Sequence, residues 1–524
     1  MVHALKEPCA YESTIPGPFL RIGARALATA PRGKPKKVSW DEHSLMVDGK
    51  RIVVWSGEIH PFRLPNPSLW RDVIQKMKAL GFNGVAFYFD WGYHSPAPGV
   101  YDFNGIRNVE RAIEIAEEEG MYIIARTGPY VNAELTGGGY PGWMFRNRAE
   151  ARTDDPVYLA ASDEWMTQIN AIIARHQVTT GGGNIIAYQL ENELGKVEPK
   201  HVRQMEHLAK KARADGITVP FFHNAAGRLP DWTPKNSTAP WANPGPTDLY
   251  AFDGYPGGTC NVHADPAGPN RAPDWGIYGN GSPKTGALSS PRTPGFAAEL
   301  GGGWFDYWGS NGTYACTAER QGKGYQRVFY GTNLINRITI HNIYMTFGGT
   351  SWGWLAGPVV YTSYDYGAPI AEDRGLRPKA LALKQQGMMV QAAEQALAQM
   401  DKGPVIATSS RTAISSRAIS SAGSASTSAR GYGSSGNHST TRIREVPTAA
   451  SAHRPSGKGW ACTMRASVVS PGPQTKRGRT TIVSRPSPLL ASMTPSTCHS
   501  PAKLVFGSKR FWPSCMYSTG YRLF

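Results

Sequence analysis

The chain has 524 residues, enough for one large domain and a smaller region beside it. Its formal charge of +17 is concentrated rather than general: residues 403–524 hold 16 Lys and Arg against one acid, Glu445, so 15 of the 17 excess charges lie there. A basic segment of that kind binds polyanions without this being a function, so nucleic acid is set aside as a partner. Membrane insertion is set aside too, since no run approaches the roughly 18 apolar residues a span needs.

Residues 1–37 read as an N-terminal extension. Ala28-Thr29-Ala30 has the look of a cleavage site, but Arg21 and Arg25 interrupt the apolar stretch before it, and no convincing signal peptide is read. From Val38 to about residue 400, short apolar runs alternate with amphipathic helical patterns, the signature of repeated βα units. Arg51–Trp55 is the first predicted barrel strand. Asn66 then caps a helix that opens on Pro67, repeats Trp70, Val73, Met77 and Leu80 on one face, and stops at Gly81. Gly84–Phe89 is the second strand, followed by a helix carrying Ile106, Val109, Ile113 and Ala116 and ending at Gly120. Further strands are predicted at Tyr122–Ala125, Asn184–Gln189, Val219–Phe222, Leu249–Phe252, Phe296–Glu299 and Tyr344–Phe347. Helices are predicted around Trp165, Ile169 and Ile173, at Val328–Ile340 and at Leu381–Leu397.

Eight such units fit an α/β fold, a (β/α)8 TIM barrel over residues 38–400 with insertions. An open doubly wound sheet is the alternative, but no Gly-rich phosphate loop opens an early helix. Residues 401–524 are rich in Ser, Thr, Arg, Pro and Gly and lose both periodicities, so they read as a low-complexity, basic, disordered tail. The near absence of acids there is also what a shifted reading frame produces. Six cysteines show no CxxC or Cys/His spacing, so neither a metal nor a redox cofactor is expected. Sequons at Asn236, Asn280, Asn311 and Asn437 permit a secreted protein.

A barrel of this kind places its active site at the C-terminal ends of the strands. There the sequence puts Tyr88-Phe89-Asp90-Trp91, Arg126 to Glu134, Gln189 to Glu193, and Ala298-Glu299. Carboxylates and amides bind hydroxyls, and aromatic rings stack on the C–H face of a sugar, so the set suits a neutral polyhydroxylated substrate. Hydrolysis of a glycosidic bond needs one carboxyl held protonated and a second held ionised, about 5–5.5 Å apart in retaining enzymes. Glu193 and Glu299 are candidates for this pair. A single Glu at a strand end is more often a salt-bridge or helix-start carboxylate, so the assignment depends on the whole constellation.

The segments Trp55–Arg63, RTGPYVNAE (126–134), GGGYPGW (137–143), YQLENELG (188–195), ELGGGWFDYWG (299–309), YMTFGGTSWG (344–353) and YTSYDYGAPI (361–370) occur in one order. Together they resemble glycoside hydrolase family 35, the β-galactosidases. The resemblance implies that Glu193 is the general acid/base, Glu299 the nucleophile, and Asn192 a contact to the 2-hydroxyl. It also implies galactose contacts from Tyr88, Asn132, Ala133 (through its backbone), Glu134, Tyr255, and Tyr364 or Tyr366.

Taken singly, Tyr88, Tyr255 and Tyr366 read equally as rim or core aromatics, and Asn132 as a turn former. Glu191 would share a strand face with Glu193, and Glu193 is chosen because it follows Asn192 as in the family pattern. Glu58 and His60 are expected to support the site's hydrogen bonds. Cys260 and Cys316 resemble a disulfide pair of secreted members. The implied activity is a retaining exo-β-galactosidase acting on a β-galactoside oligosaccharide or polysaccharide outside the cell, with no metal or cofactor. A same-fold enzyme for another β-glycoside, such as terminal β-glucosamine, and a truncated inactive product that binds sugar are the alternatives, the latter because the resemblance ends near residue 400 where secreted members continue into all-β domains.

Overall fold

Seven of the eight apolar runs that form the barrel are buried along their whole length, as expected for parallel strands covered on both faces. The computed structural model describes residues 33–400 apart from 261–289 and the single positions 147, 228, 256, 258, 311 and 359. The predicted tail, most of the N-terminal extension, three of the four sequons and nearly all of the Gly- and Pro-rich 265–291 segment lie outside the described residues.

Three short strands, β1 (Val38–Trp40), β2 (Leu45–Val47) and β3 (Lys50–Ile52), form an antiparallel sheet ahead of the barrel. The barrel strands are β4 (Val54–Ile59), β5 (Gly84–Tyr88), β6 (Tyr122–Arg126), β7 (Ile185–Gln189) and β8 (Phe221–Ala225), then β11 (Leu249–Gly254), β12 (Gly295–Gly301) and β13 (Ile338–Phe347). Each pairs in parallel with the next, and β13 returns to β4, which closes the ring. Between β8 and β11 a two-stranded ribbon, β9 (Asp231–Pro234) and β10 (Asn243–Gly245), is inserted.

The first helix, Pro67–Ala79, forms as its sequence predicts: the Asn66 side chain accepts from the Ser68 N–H, Trp70, Val73 and Met77 are buried, and Gly81 turns the chain at φ 88°. Three expectations are corrected. Arg51–Trp55 is not one strand: it divides at Val53, the first half pairing antiparallel with β2 and the second opening β4. Ile106 is not on a helix face but in a short 3-10 turn, 45% exposed, and the helix starts at Val109 with Asn108 as its cap. The helix predicted to reach Ile340 ends at Ile335, because Ile338, Thr339, Ile340 and Ile343 form a β-branched run that enters β13.

Cys260 and Cys316 are joined by a disulfide with Cα atoms 5.9 Å apart, as the resemblance implied. No described helix is long and apolar enough to cross a membrane.

Candidate active site

The strand ends carry polar side chains whose burial is tolerated because they bond one another. Arg126, the last residue of β6, is fully buried and organises the group. Its Nε donates to Gln189 Oε1 at 2.7 Å, one Nη donates to Glu58, and the other donates to Glu299 Oε1 at 2.5 Å. Its guanidinium also lies 3.9 Å from the centroid of the Tyr88 ring.

Glu299 lies within β12, two residues before its end. Its ladders with β11 and β13 both gain an extra residue on β12 at this point, a bulge that re-aims the side chain relative to simple alternation. Tyr88 Oη donates to Glu299 Oε1 at 3.0 Å and Tyr255 Oη donates to Oε2 at 2.6 Å, so both oxygens serve as acceptors. Asn224, on β8, directs its Nδ2 to Asn192 Oδ1 and to Asp253 Oδ2, each at 2.8 Å, and to Glu299 Oε1 at 3.4 Å. Tyr88 and Asn192 are bonded directly.

Glu191 and Glu193 both follow the end of β7, so strand alternation does not govern them; each has a positive φ, 58° and 43°. Glu191 is fully buried against Arg152, whose Nε donates to it at 2.8 Å. Glu193 is only partly buried, and its backbone N–H donates to the Asn224 carbonyl at 3.2 Å. Burial raises its carboxyl first, the nearby Glu299 carboxylate adds to this, a hydrogen bond with Asp253 acts the other way, and the outcome is about 7.

On the opposite wall Asn132, Ala133 and Glu134 are three successive residues at φ 53°, 49° and 49°. Arg63 fixes this turn by donating to the Ala133 carbonyl, to Ser351 Oγ at 2.9 Å and to His60 Nδ1 at 2.5 Å, with its guanidinium 3.6 Å from the Tyr364 centroid. The bond from Arg63 leaves His60 its Nε2 hydrogen, which faces Glu58 Oε1 at 3.4 Å. Burial, with Arg63 and Arg126 beside it, keeps His60 neutral. Burial lifts Glu134 to about 7 despite the bond from Tyr364. Tyr366 packs 5.3 Å from Tyr364 between ring centroids. Seven of the twelve non-glycine residues with positive φ among those described lie in this group, Arg152 included, and strain of that kind collects where a site has to be held open.

All ten sequence-predicted site residues therefore lie in one connected set, and Glu58 and His60 stand behind it as bonding partners. Arg126, Asn224 and Asp253 were given no role by sequence reasoning. The last two follow the predicted ends of their strands, Phe222 and Phe252, by one or two residues, because His223, Asn224 and Asp253 break the apolar run. A barrel's mouth end is polar by construction, which is the signal that would have found them.

The sequence model described as Glycosyl hydrolases family 35 matches residues 44–390. A probable beta-galactosidase A from Aspergillus fumigatus is 43% identical over 363 residues, covering 68% of this chain and 35% of that one. The beta-galactosidase of Aspergillus niger is 41% identical over 355 residues, covering 67% and 34%. The chain thus spans about a third of the length of the curated relatives it matches. Among solved structures, the exo-beta-1,4-mannosidase Op5Man5 from Opitutaceae bacterium strain TAV5 aligns with a TM-score of 0.48 and 13% identity over 71% of this chain and 63% of that one. With two thirds of its length matched to the family and relatives above 40% identity, the chain belongs to glycosyl hydrolases family 35.

Proposed function

We propose that the chain is a retaining exo-β-galactosidase that removes terminal non-reducing β-D-galactose through a covalent galactosyl-enzyme. The observation that carries this reading is the unlike treatment of two carboxyls. Glu299 meets donors from Arg126, Tyr88 and Tyr255, which suits a nucleophilic oxygen, whereas Glu193 faces other carboxyls and is pushed up to about 7, which suits a proton donor.

In the first step Glu299 attacks the anomeric carbon as Glu193 protonates the departing glycosidic oxygen. In the second, Glu193 takes a proton from water, which displaces Glu299 and restores the β configuration. Asn192 has its Oδ1 occupied by Tyr88 and Asn224, so its Nδ2 is the end offered to the sugar's 2-hydroxyl. The Asn132–Ala133–Glu134 turn and Tyr364 or Tyr366 face the remaining hydroxyls. The relatives named as beta-galactosidases agree with this substrate. The Cys260–Cys316 disulfide suits an extracellular enzyme.

The test is Glu193→Ala. Lactose, a poor leaving group, should turn over at least about a hundredfold more slowly, while an activated aryl galactoside should still form the intermediate. Azide, which needs no general base, should then rescue turnover and give β-galactosyl azide. The α-azide would make Glu193 the nucleophile, and no azide product from a folded variant would remove it from the mechanism.

A further inference from the structure

Single exposed apolar residues are ordinary, but several large rings gathered on neighbouring loops are not. Trp308, Trp352, Trp354 and Tyr361 are 68%, 57%, 55% and 37% exposed. All four follow β12 or β13, on the mouth side of the barrel. The two loops are joined: the Tyr361 N–H donates to the Asp306 carbonyl at 2.9 Å, Tyr307 bridges to Val360, and the rings of Trp308 and Tyr361 lie 5.4 Å apart.

The second loop is also tied to the turn that carries Glu134. Gly357 N–H donates to the Glu134 carbonyl at 2.7 Å and Thr136 N–H donates to the Leu355 carbonyl at 2.9 Å. The rings therefore stand on a frame shared with the candidate site. Residues 304–313 and 350–362 contain one charged side chain, Asp306, and it is 1% exposed. An uncharged surface of open rings suits an uncharged partner with apolar C–H faces, and it disfavours an anionic one.

We infer that Trp308, Trp352, Trp354 and Tyr361 form a saccharide platform that holds the leaving-group side of an oligosaccharide by ring stacking while its terminal residue occupies the carboxylate pocket. The inference rests on the β-galactosidase reading and extends it from the terminal sugar to the chain behind it.

The test compares the full chain with Trp308→Ala and with the double variant Trp352→Ala/Trp354→Ala. Two substrates are used: β-galactosyl fluoride, which has no sugar or ring as leaving group, and a linear β-galactotetraose. These side chains are exposed, so the variants should fold. KM for the tetraose should rise roughly tenfold in the double variant with kcat little changed, and kinetics on the fluoride should stay as in the parent. An unchanged KM for the tetraose overturns the platform, as does an equal loss on both substrates. A shift from dimer to monomer on sedimentation with tetraose kinetics unchanged also overturns it, by assigning the face to a second copy. If the parent hydrolyses neither substrate, the β-galactosidase reading is what fails. The platform is then judged by tetraose titration of tryptophan fluorescence, where equal affinity in parent and double variant removes it.

Discussion

Exchanging Glu299 for Gln keeps the side chain's shape and removes its nucleophilicity. The amide oxygen can still accept from Arg126 and Tyr88, and its NH2 can donate to the Tyr255 hydroxyl, which reverses its role. Glu299→Gln should therefore lose at least about a thousandfold in kcat on an aryl galactoside while binding galactose within a few fold of the parent. Near-normal turnover would withdraw the assignment. Glu193 leads to a pH prediction with a definite sign. As the acid it must carry a proton, so its contribution is present below its raised pKa and lost as pH climbs through about 7. The kcat/KM for lactose should fall tenfold per unit above that point, and a flat profile from pH 6 to 9 would exclude Glu193 as the titrating acid. Sequence alone separated Glu193 from Glu191 only through the preceding Asn192. The physical difference, a direct hydrogen bond from Arg152 to Glu191 where Glu193 feels the same cation only at longer range, depends on a residue some 40 positions away and is not legible in a local motif.

Helix Pro67–Ala79 and helix Pro378–Ala392 meet at two glycines, where magnitudes decide between opposing effects. A Cβ on Gly387 would lie 2.7 Å from the Leu80 carbonyl oxygen and 2.9 Å from Gly81 Cα. Alanine in place of a helical glycine gains about 1 kcal/mol in propensity, whereas overpacking against atoms that cannot rotate away costs about 1–3 kcal/mol. Gly387→Ala should thus be destabilising by up to about 2 kcal/mol, read as a lower urea midpoint with an unchanged slope; a raised midpoint would show that the helices can part without loss. The same contrast between local pattern and long-range contact explains which elements were readable. The Asn66 cap, Pro67 and the Trp70, Val73, Met77 spacing declare a helix without help from the rest of the chain. The division of Arg51–Trp55 at Val53 does not, because it is imposed by two different pairing partners, β2 for one half and β13 with β5 for the other. The bulge that aims Glu299 is invisible for the same reason: it exists only in register with β11 and β13.

At the scale of the whole molecule, the barrel's last described elements return to its beginning. Glu394 accepts from the Val53 N–H at 3.3 Å, Gln395 donates to the Arg51 carbonyl at 3.0 Å, and Leu397 and Ala398 are buried. The ring of βα units is therefore tied off by about residue 400, and every candidate site residue lies before it. Residues 403–524 carry 15 of the 17 excess charges, so they dominate the chain's long-range electrostatics while contributing no group to the proposed chemistry. Deleting them should leave kcat/KM per folded molecule unchanged on an aryl galactoside, and should abolish retention on a polyanionic column by leaving a net charge near +2. Extending the deletion back through residue 393 removes Glu394, Gln395, Leu397 and Ala398 together, and this longer truncation should fail to give a cooperative unfolding transition. A well-folded chain ending at 402 that had lost its activity would show that the basic segment supplies part of the site, and the proposed boundary at residue 400 would have to be abandoned.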